Sequence, residues 1–165
     1  WIVIQQRIDD SQSFNQNWTE YKSGFGNYNK NFWLGLEKMH QLTTSADYRL
    51  RFEVLIRGSW YSDEYDHFYI RSELMKYSLN ATGYSGDKCD ILNSPIDIYI
   101  HNGMKFSTPD RDNDLSSGNC AAYYLSGNWF NNCAHQLVNT PYNSTSFLYK
   151  SSRITLCRMM MKRNF

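Results

Sequence analysis

Tyr48–Ile56 reads YRLRFEVLI and Trp60–Ile70 reads WYSDEYDHFYI, and these two segments decide the fold. In the first, Tyr48, Leu50, Phe52 and Val54 alternate with Arg49, Arg51 and Glu53, the period-two pattern of a half-buried strand. The second is rich in aromatic residues and is expected as its antiparallel partner. Working outward, Met75–Leu79 is expected as a third strand. Trp1–Ile8 (WIVIQQRI) reads as a β-branched strand that turns polar before the Asp9-Asp10-Ser11 turn. Arg153–Met161 (RITLCRMMM) reads as a closing strand that returns to the sheet, its methionines in core packing.

Two short helices accompany the sheet. Ser13-x-x-Gln16 has the form of a capping box, with Trp18 and Tyr21 one turn apart behind it and Gly24 and Gly26 to end the helix. Phe32–Leu42 (FWLGLEKMHQL) places apolar residues at 32, 33, 36, 39 and 42, close to helical spacing. The expected fold is a single α+β domain. Residues 1–82 form a twisted antiparallel sheet with two short helices, and 83–165 form a loop-rich half plus the closing strand. From Gly83 to Lys150 the chain is rich in Gly, Asn, Asp and Ser. Loops longer than ~12–15 residues need a functional or covalent reason, so disulfides, a metal or both are expected there.

Composition narrows the function. With 17 basic and 16 acidic residues the net charge is +1, which gives no general pull towards nucleic acid or anionic membrane. No run of apolar residues is long enough to span a bilayer. The aromatic content of 16% excludes disorder. Cys89, Cys120, Cys133 and Cys157 lack zinc-site spacing. Asn17-Trp-Thr, Asn80-Ala-Thr and Asn143-Ser-Thr are each acceptors for N-glycosylation. Together with an even cysteine count they point to a secreted chain with two disulfides; a reduced cytosolic protein with buried thiols is the alternative.

The stretch DRDNDLSSGNC, Asp110 to Cys120, carries the most chemistry. Three carboxylates at alternate positions cannot be packed into a core unpaired, so they either face solvent or hold a hard cation. Calcium takes 6–8 oxygen ligands, which a tight loop can supply as two carboxylates and then backbone carbonyls. The spacing is not that of an EF-hand. Between Cys120 and Cys133 lie Tyr123, Tyr124, Trp129 and Phe130. Closing a loop of this size would be worth about 3 kcal/mol. Aromatic rings beside amides make either a small-ligand pocket or the core of the loop half. The four histidines, 40, 67, 101 and 135, share no motif with a nucleophile, and no GxSxG, HExxH or phosphate loop is present. Asp63, Glu64 and Asp66 read as a solvated face and His67 and His101 as structural, so an enzyme is not expected.

Taken in order, WIVIQQRIDDSQSFNQNWTEYKSGFG (1–26), FWLGLEKMHQLT (32–43), GYSGD (83–87), HNGMKFST (101–108), DRDND, GNCA and WFNNC (129–133) resemble the fibrinogen C-terminal, or fibrinogen-related, domain over most of the chain. The resemblance implies calcium held by Asp112 and Asp114 and by the carbonyls of Ser116 and Gly118. It implies a Cys120–Cys133 disulfide and a cis peptide between Asn132 and Cys133, which would turn backbone N–H groups towards a ligand's oxygen. In lectin-like members this pocket takes the acetyl group of N-acetylated sugars, and Tyr124 matches the tyrosine that lines it. The corresponding pocket of fibrinogen binds a peptide knob.

The departures are specific. The histidine that follows the second cysteine in the family is Ala134 here, with His135 one place later. The paired tryptophans are Asn128 and Trp129, and the C-terminal pocket wall is short. The family's N-terminal subdomain, with its first disulfide, lies outside this sequence, which would leave Trp1–Ile8 as an unpaired edge. Cys89 and Cys157 have no common family counterparts, and either join in a second disulfide or stay as free thiols. Oligomerisation is expected through segments outside this chain. The resemblance supports two functions. The first expectation is a secreted, calcium-dependent, lectin-like module for acetylated carbohydrate in innate immunity, with Tyr124, Asn132, Cys133 and His135 at its pocket. The alternative is a protein-binding signalling or adhesion module of angiopoietin-like type, with an extracellular protein as partner and calcium only structural.

Overall fold

The computed structural model describes residues 1–165. Its elements run β1 (Ile2–Arg7), α1 (Trp18–Ser23), β2 (Phe25–Gly26), β3 (Phe32–Trp33), α2 (Leu36–Ser45), β4 (Tyr48–Ile56), β5 (Ser59–Ile70), β6 (Leu79–Gly86), α3 (Cys120–Tyr124), β7 (Leu148–Tyr149), β8 (Ser152–Arg153) and β9 (Leu156–Arg163). Single 3-10 turns lie at Glu73–Met75 and Asp97–Tyr99. The architecture is the expected α+β, and the deciding hairpin forms as read: every second residue of β4 is buried, and β5 pairs along its length. Arg57 and Gly58 make the turn with φ of 50° and 82°. Positive φ at both central positions matches the twist of the strands on either side. No helix is long and apolar enough to cross a membrane.

Seven strands form one sheet in the order β2-β3-β1-β9-β4-β5-β6. The last strand, β9, returns to its middle, antiparallel to β1 and to β4. Its Met159, Met160 and Met161 are buried as expected. β1 is not an edge: β3 covers its other side through Gln5–Trp33 and Gln6–Phe32 pairs.

Other boundaries differ from the sequence reading. α1 starts at Trp18, capped by Asn17, whose side chain accepts the Glu20 N–H at 2.9 Å. Ser13 serves a local turn instead, its hydroxyl accepting the Asn15 N–H. Phe32 and Trp33 are strand, and the second helix begins only at Leu36. Gly35, at φ 106°, is the break, and a Cβ there would lie 2.7 Å from the backbone of Ser23. Met75–Leu79 is a 3-10 end and a crossing segment; the third strand of the hairpin side is β6, which carries the sheet past Thr82 to Gly86.

Asp63 also departs from the reading as a solvated face. It is 1% exposed and its carboxylate accepts from the Tyr84 hydroxyl, the Lys88 N–H and the Tyr149 hydroxyl. Of the two alternatives for Cys89 and Cys157, the disulfide does not form, and both are free thiols. Cys157 points from β9 into the core beside Gln5 and Val138, and burial pushes its thiol up to about 12.

The loop-rich half has few ladders, and buried side-chain amides replace them. Gln5 donates to Val138 O and Asn139 Oδ1, and Arg7 to Val138 O and Thr140 O. Asn128 and Gln136 bond to each other and across their loop, and Asn139 donates to Gly127 O. Such buried polar groups stand only when partnered, and here they fix one path for a segment without regular structure. Trp33, Phe106 and Trp129 pack at 5.0–6.2 Å between ring centres and join this half to the sheet.

Candidate functional site

The 106–118 loop is shaped by short-range bonds. Ser107 bridges to Asn128 in backbone pairing, its hydroxyl accepts the Asn113 N–H, and the Asn113 side chain donates to Phe106 O. Asp112 Oδ1 accepts the Asp114 N–H at 3.1 Å. Asp114 accepts the N–H of Ser116 on Oδ1 and of Cys120 on Oδ2, both at 2.9 Å. Burial, joined by the charge of Asp112, pushes the Asp114 carboxyl above the usual carboxylate range, against the pull of those two N–H groups.

The carbonyls of Ser116 and Gly118 accept no hydrogen bond within the chain. Two close carboxylates, one of them pushed upward mainly by burial, and two open carbonyls in the next turn are an oxygen-only donor set of the kind calcium takes. No three His, Cys, Asp or Glu side chains converge anywhere, so a cation here would depend on those main-chain oxygens.

After this loop Asn119 caps α3 by accepting the Ala122 N–H, and its amide donates to Pro109 O. Cys120 opens the helix and is bonded to Cys133 with Cα atoms 5.7 Å apart, and the Asn132–Cys133 peptide is cis. The two loops meet directly where the Leu115 N–H donates to Asn131 O at 3.0 Å. Between them opens a groove of about 420 Å³ lined by Ser116, Gly118, Asn119, Cys120, Tyr123, Tyr124 and Cys133. Tyr124 stacks on Phe130 at 6.0 Å and burial raises its hydroxyl pKa. Tyr123, 80% exposed, stands edge-on to it.

The other expected pocket residues are placed differently. The Asn132 N–H donates to Ile98 O, and the His135 ring stacks on Tyr99 at 5.4 Å; neither side chain lines the groove. The His135 N–H is used by a residue that sequence reading treats only as structural. His101, fully buried, has its Nδ1 2.9 Å from Trp129 O, which makes Nδ1 the donor, and its Nε2 accepts the N–H groups of His135 and Gln136. Burial lowers its pKa to about 4, so the ring is neutral and holds both sides of the 129–136 loop. Asp110 is bonded elsewhere than Asp112 and Asp114: it accepts from the Trp18 N–H and the Thr108 hydroxyl. Nothing local in the sequence separates it from the other two aspartates, because its partner Trp18 is distant in the chain.

The three glycosylation triplets sit on accessible positions. Asn17 and Asn143 are exposed, and Asn80 is half-buried on β6.

The family model for fibrinogen beta and gamma chains, describing their C-terminal globular domain, matches residues 1–157. Fibroleukin of Bos taurus is 44% identical over 144 residues, which is 86% of this chain and 32% of that protein. The chain therefore spans about a third of the length of that relative. Among solved structures, the fibrinogen-like globe domain of human ANGPTL6 superposes with a TM-score of 0.89 at 32% identity, over 99% of this chain and 78% of that one. Lamprey fibrin D-dimer, solved with the peptide Gly-His-Arg-Pro-amide, superposes with a TM-score of 0.84 at 31% identity, over 96% and 60%. With the sheet, the disulfide loop and these matches agreeing, the chain belongs to the fibrinogen C-terminal domain family.

Proposed function

We propose that this chain is an extracellular protein-recognition module, with the groove beside the Cys120–Cys133 disulfide as its contact face and calcium as a structural ion. The observation that carries this reading is the apolar margin of the groove. Tyr123 lines it at 80% exposed; Leu115 and Ile98, both exposed, do not line it but are tied by backbone hydrogen bonds to Asn131 and Asn132, next to its Cys133 wall. Large apolar side chains gathered at a surface mark protein contact. The peptide bound in the lamprey fibrin structure supports a protein or peptide ligand.

The acetylated-carbohydrate reading gives way to it. Of the four residues expected at that pocket only Tyr124 and Cys133 line the groove, and Ala134 removes the family's histidine. Asp112, Asp114 and the Ser116 and Gly118 carbonyls would hold the calcium, whose charge would neutralise the two carboxylates and stiffen one wall of the groove. Secretion, and glycans at Asn17, Asn80 and Asn143, are part of the same reading, supported by the disulfide and the accessible acceptors.

Binding of the oxidised, biotin-labelled protein to cell surfaces tests it. Binding lost after protease treatment of the cells, insensitive to N-acetylglucosamine and weakened by Tyr123→Ser with Leu115→Ser is the expected result. Binding that survives protease and is competed by the sugar would restore the lectin reading. A rise in melting temperature with calcium, reversed by chelator, checks the metal.

A further inference from the structure

The 110–118 loop starts from an anchor outside its own ligand set. Asp110 Oδ1 accepts the Trp18 N–H at 2.9 Å and the Thr108 hydroxyl at 2.7 Å. That N–H is one of the first-turn donors of α1, which have no partner inside the helix. Arg111 lies over the Trp18 ring at 4.4 Å, with its guanidinium 3.7 Å from Glu73. Glu73 in turn accepts from Trp18 Nε1 at 2.8 Å and from Lys22 at 2.6 Å. Two distant parts of the chain, α1 and the turn at Glu73, thus grip the two residues that precede Asp112, with Thr108 as a local partner, and Trp18 at the centre is only 3% exposed.

We propose that Asp110 is a positioning residue for the calcium loop: it takes no part in holding the ion, but pins the loop's entry to α1, so that Asp112, Asp114, Ser116 and Gly118 are ordered before the ion arrives. This rests on the calcium reading above. Without the anchor the ion itself would have to order the turn, and that ordering would be subtracted from its affinity.

The test is calorimetric titration of calcium into the full oxidised protein and into Asp110→Ala and Asp110→Asn, with amide hydrogen exchange followed at Trp18. Asp110 sits at the surface, and urea unfolding in chelator checks that each variant keeps its fold. Asp110→Ala is expected to weaken calcium about 10-fold or more, the scale of lost outer-shell partners. Asp110→Asn keeps an oxygen for both donors and is expected to restore most of the affinity. Calcium is expected to slow exchange at the Trp18 N–H in the wild type and in Asp110→Asn, but not in Asp110→Ala.

Unchanged affinity in Asp110→Ala, beside a wild type that binds, overturns the anchor alone. Equal weakening in both variants also overturns it, because the charge of Asp110 rather than its bonds would then set the affinity. A wild type that takes up no calcium removes the calcium reading and this proposal together.

Discussion

Acidification should weaken this domain well before its carboxylates are protonated, and His101 is the reason. Its Nε2 accepts two backbone N–H groups while Nδ1 donates to Trp129 O, so an added proton at Nε2 would face two donors in a site without water access. The folded ring titrates at about 4 against 6.5 for a free histidine. Between those values the unfolded protein binds a proton that the folded one refuses, so stability falls as the pH drops through 6.5 and the loss is complete near 4. At about 1.4 kcal/mol per pH unit the full loss is about 3 kcal/mol. His135, also held below its ordinary value by burial, acts in the same direction.

Asp9, Asp47 and Glu73 are held low by hydrogen bonds, and their contributions are lost only in more acid solution, as the pH falls through their folded values. Asp114, raised, works in the opposite sense, but it is common to wild type and variant and cancels in their difference. The assay is urea unfolding of the oxidised protein in chelator at several pH values from 7 to 4.5. His101→Gln, whose side-chain oxygen can accept the same N–H groups without titrating, should lose some stability at pH 7 and show a much flatter slope. An equal slope in the variant, or a His101 ring signal that titrates near 6.5, would refute the reasoning.

Three further outcomes are expected. Replacing both Cys120 and Cys133 by Ala should cost about 3 kcal/mol in urea unfolding, since the bond closes a loop of 13 residues, while far-ultraviolet circular dichroism keeps the sheet signal. Asp63→Asn removes the charge that the Tyr84, Lys88 and Tyr149 donors share and sets an NH2 group against at least one of them, and it should destabilise by about 1–3 kcal/mol, read from the shift in urea midpoint. Ellman's reagent should find Cys157 silent in the native protein and reactive only on unfolding, because its buried thiol titrates at about 12; Cys89, half-buried, should react slowly.

The hairpin is legible because its information is local. Alternation in Tyr48–Ile56 is dictated by one buried face, and no distant residue is needed to see it. Helix starts are less legible, since Ser13 and Asn17 both carry capping oxygens and only the burial of Trp18 and Tyr21 selects the second. Asp63 misleads for a stronger reason. In the sequence it is one of three acids in a polar strand, and its donors arrive from β6, from Lys88 and from β7. The second glycine of the GYSGD stretch holds the missing clue: a Cβ at Gly86 would collide with the Asp63 carboxylate. The motif marks where that acid is buried. Asp112 and Asp114 are paired by the family resemblance and not by spacing, which is the same from Asp110 to Asp112, and the separate role of Asp110 depends on Trp18.

The same distances explain why the groove lies where it does. The 127–140 segment hangs from β1 through Gln5 and Arg7, and the 106–118 loop hangs from α1 through Asp110. These supports belong to different parts of the N-terminal half. The two loops meet at the Cys120–Cys133 bond and at the Leu115–Asn131 hydrogen bond, with the groove between them. A surface at the seam of two separately anchored loops can change its side chains without disturbing either support, because Gln5, Arg7 and Asp110 bond mainly to backbone or short polar groups. Tyr123 and Leu115 are exposed outside both anchors, so replacing them is expected to cost the fold least.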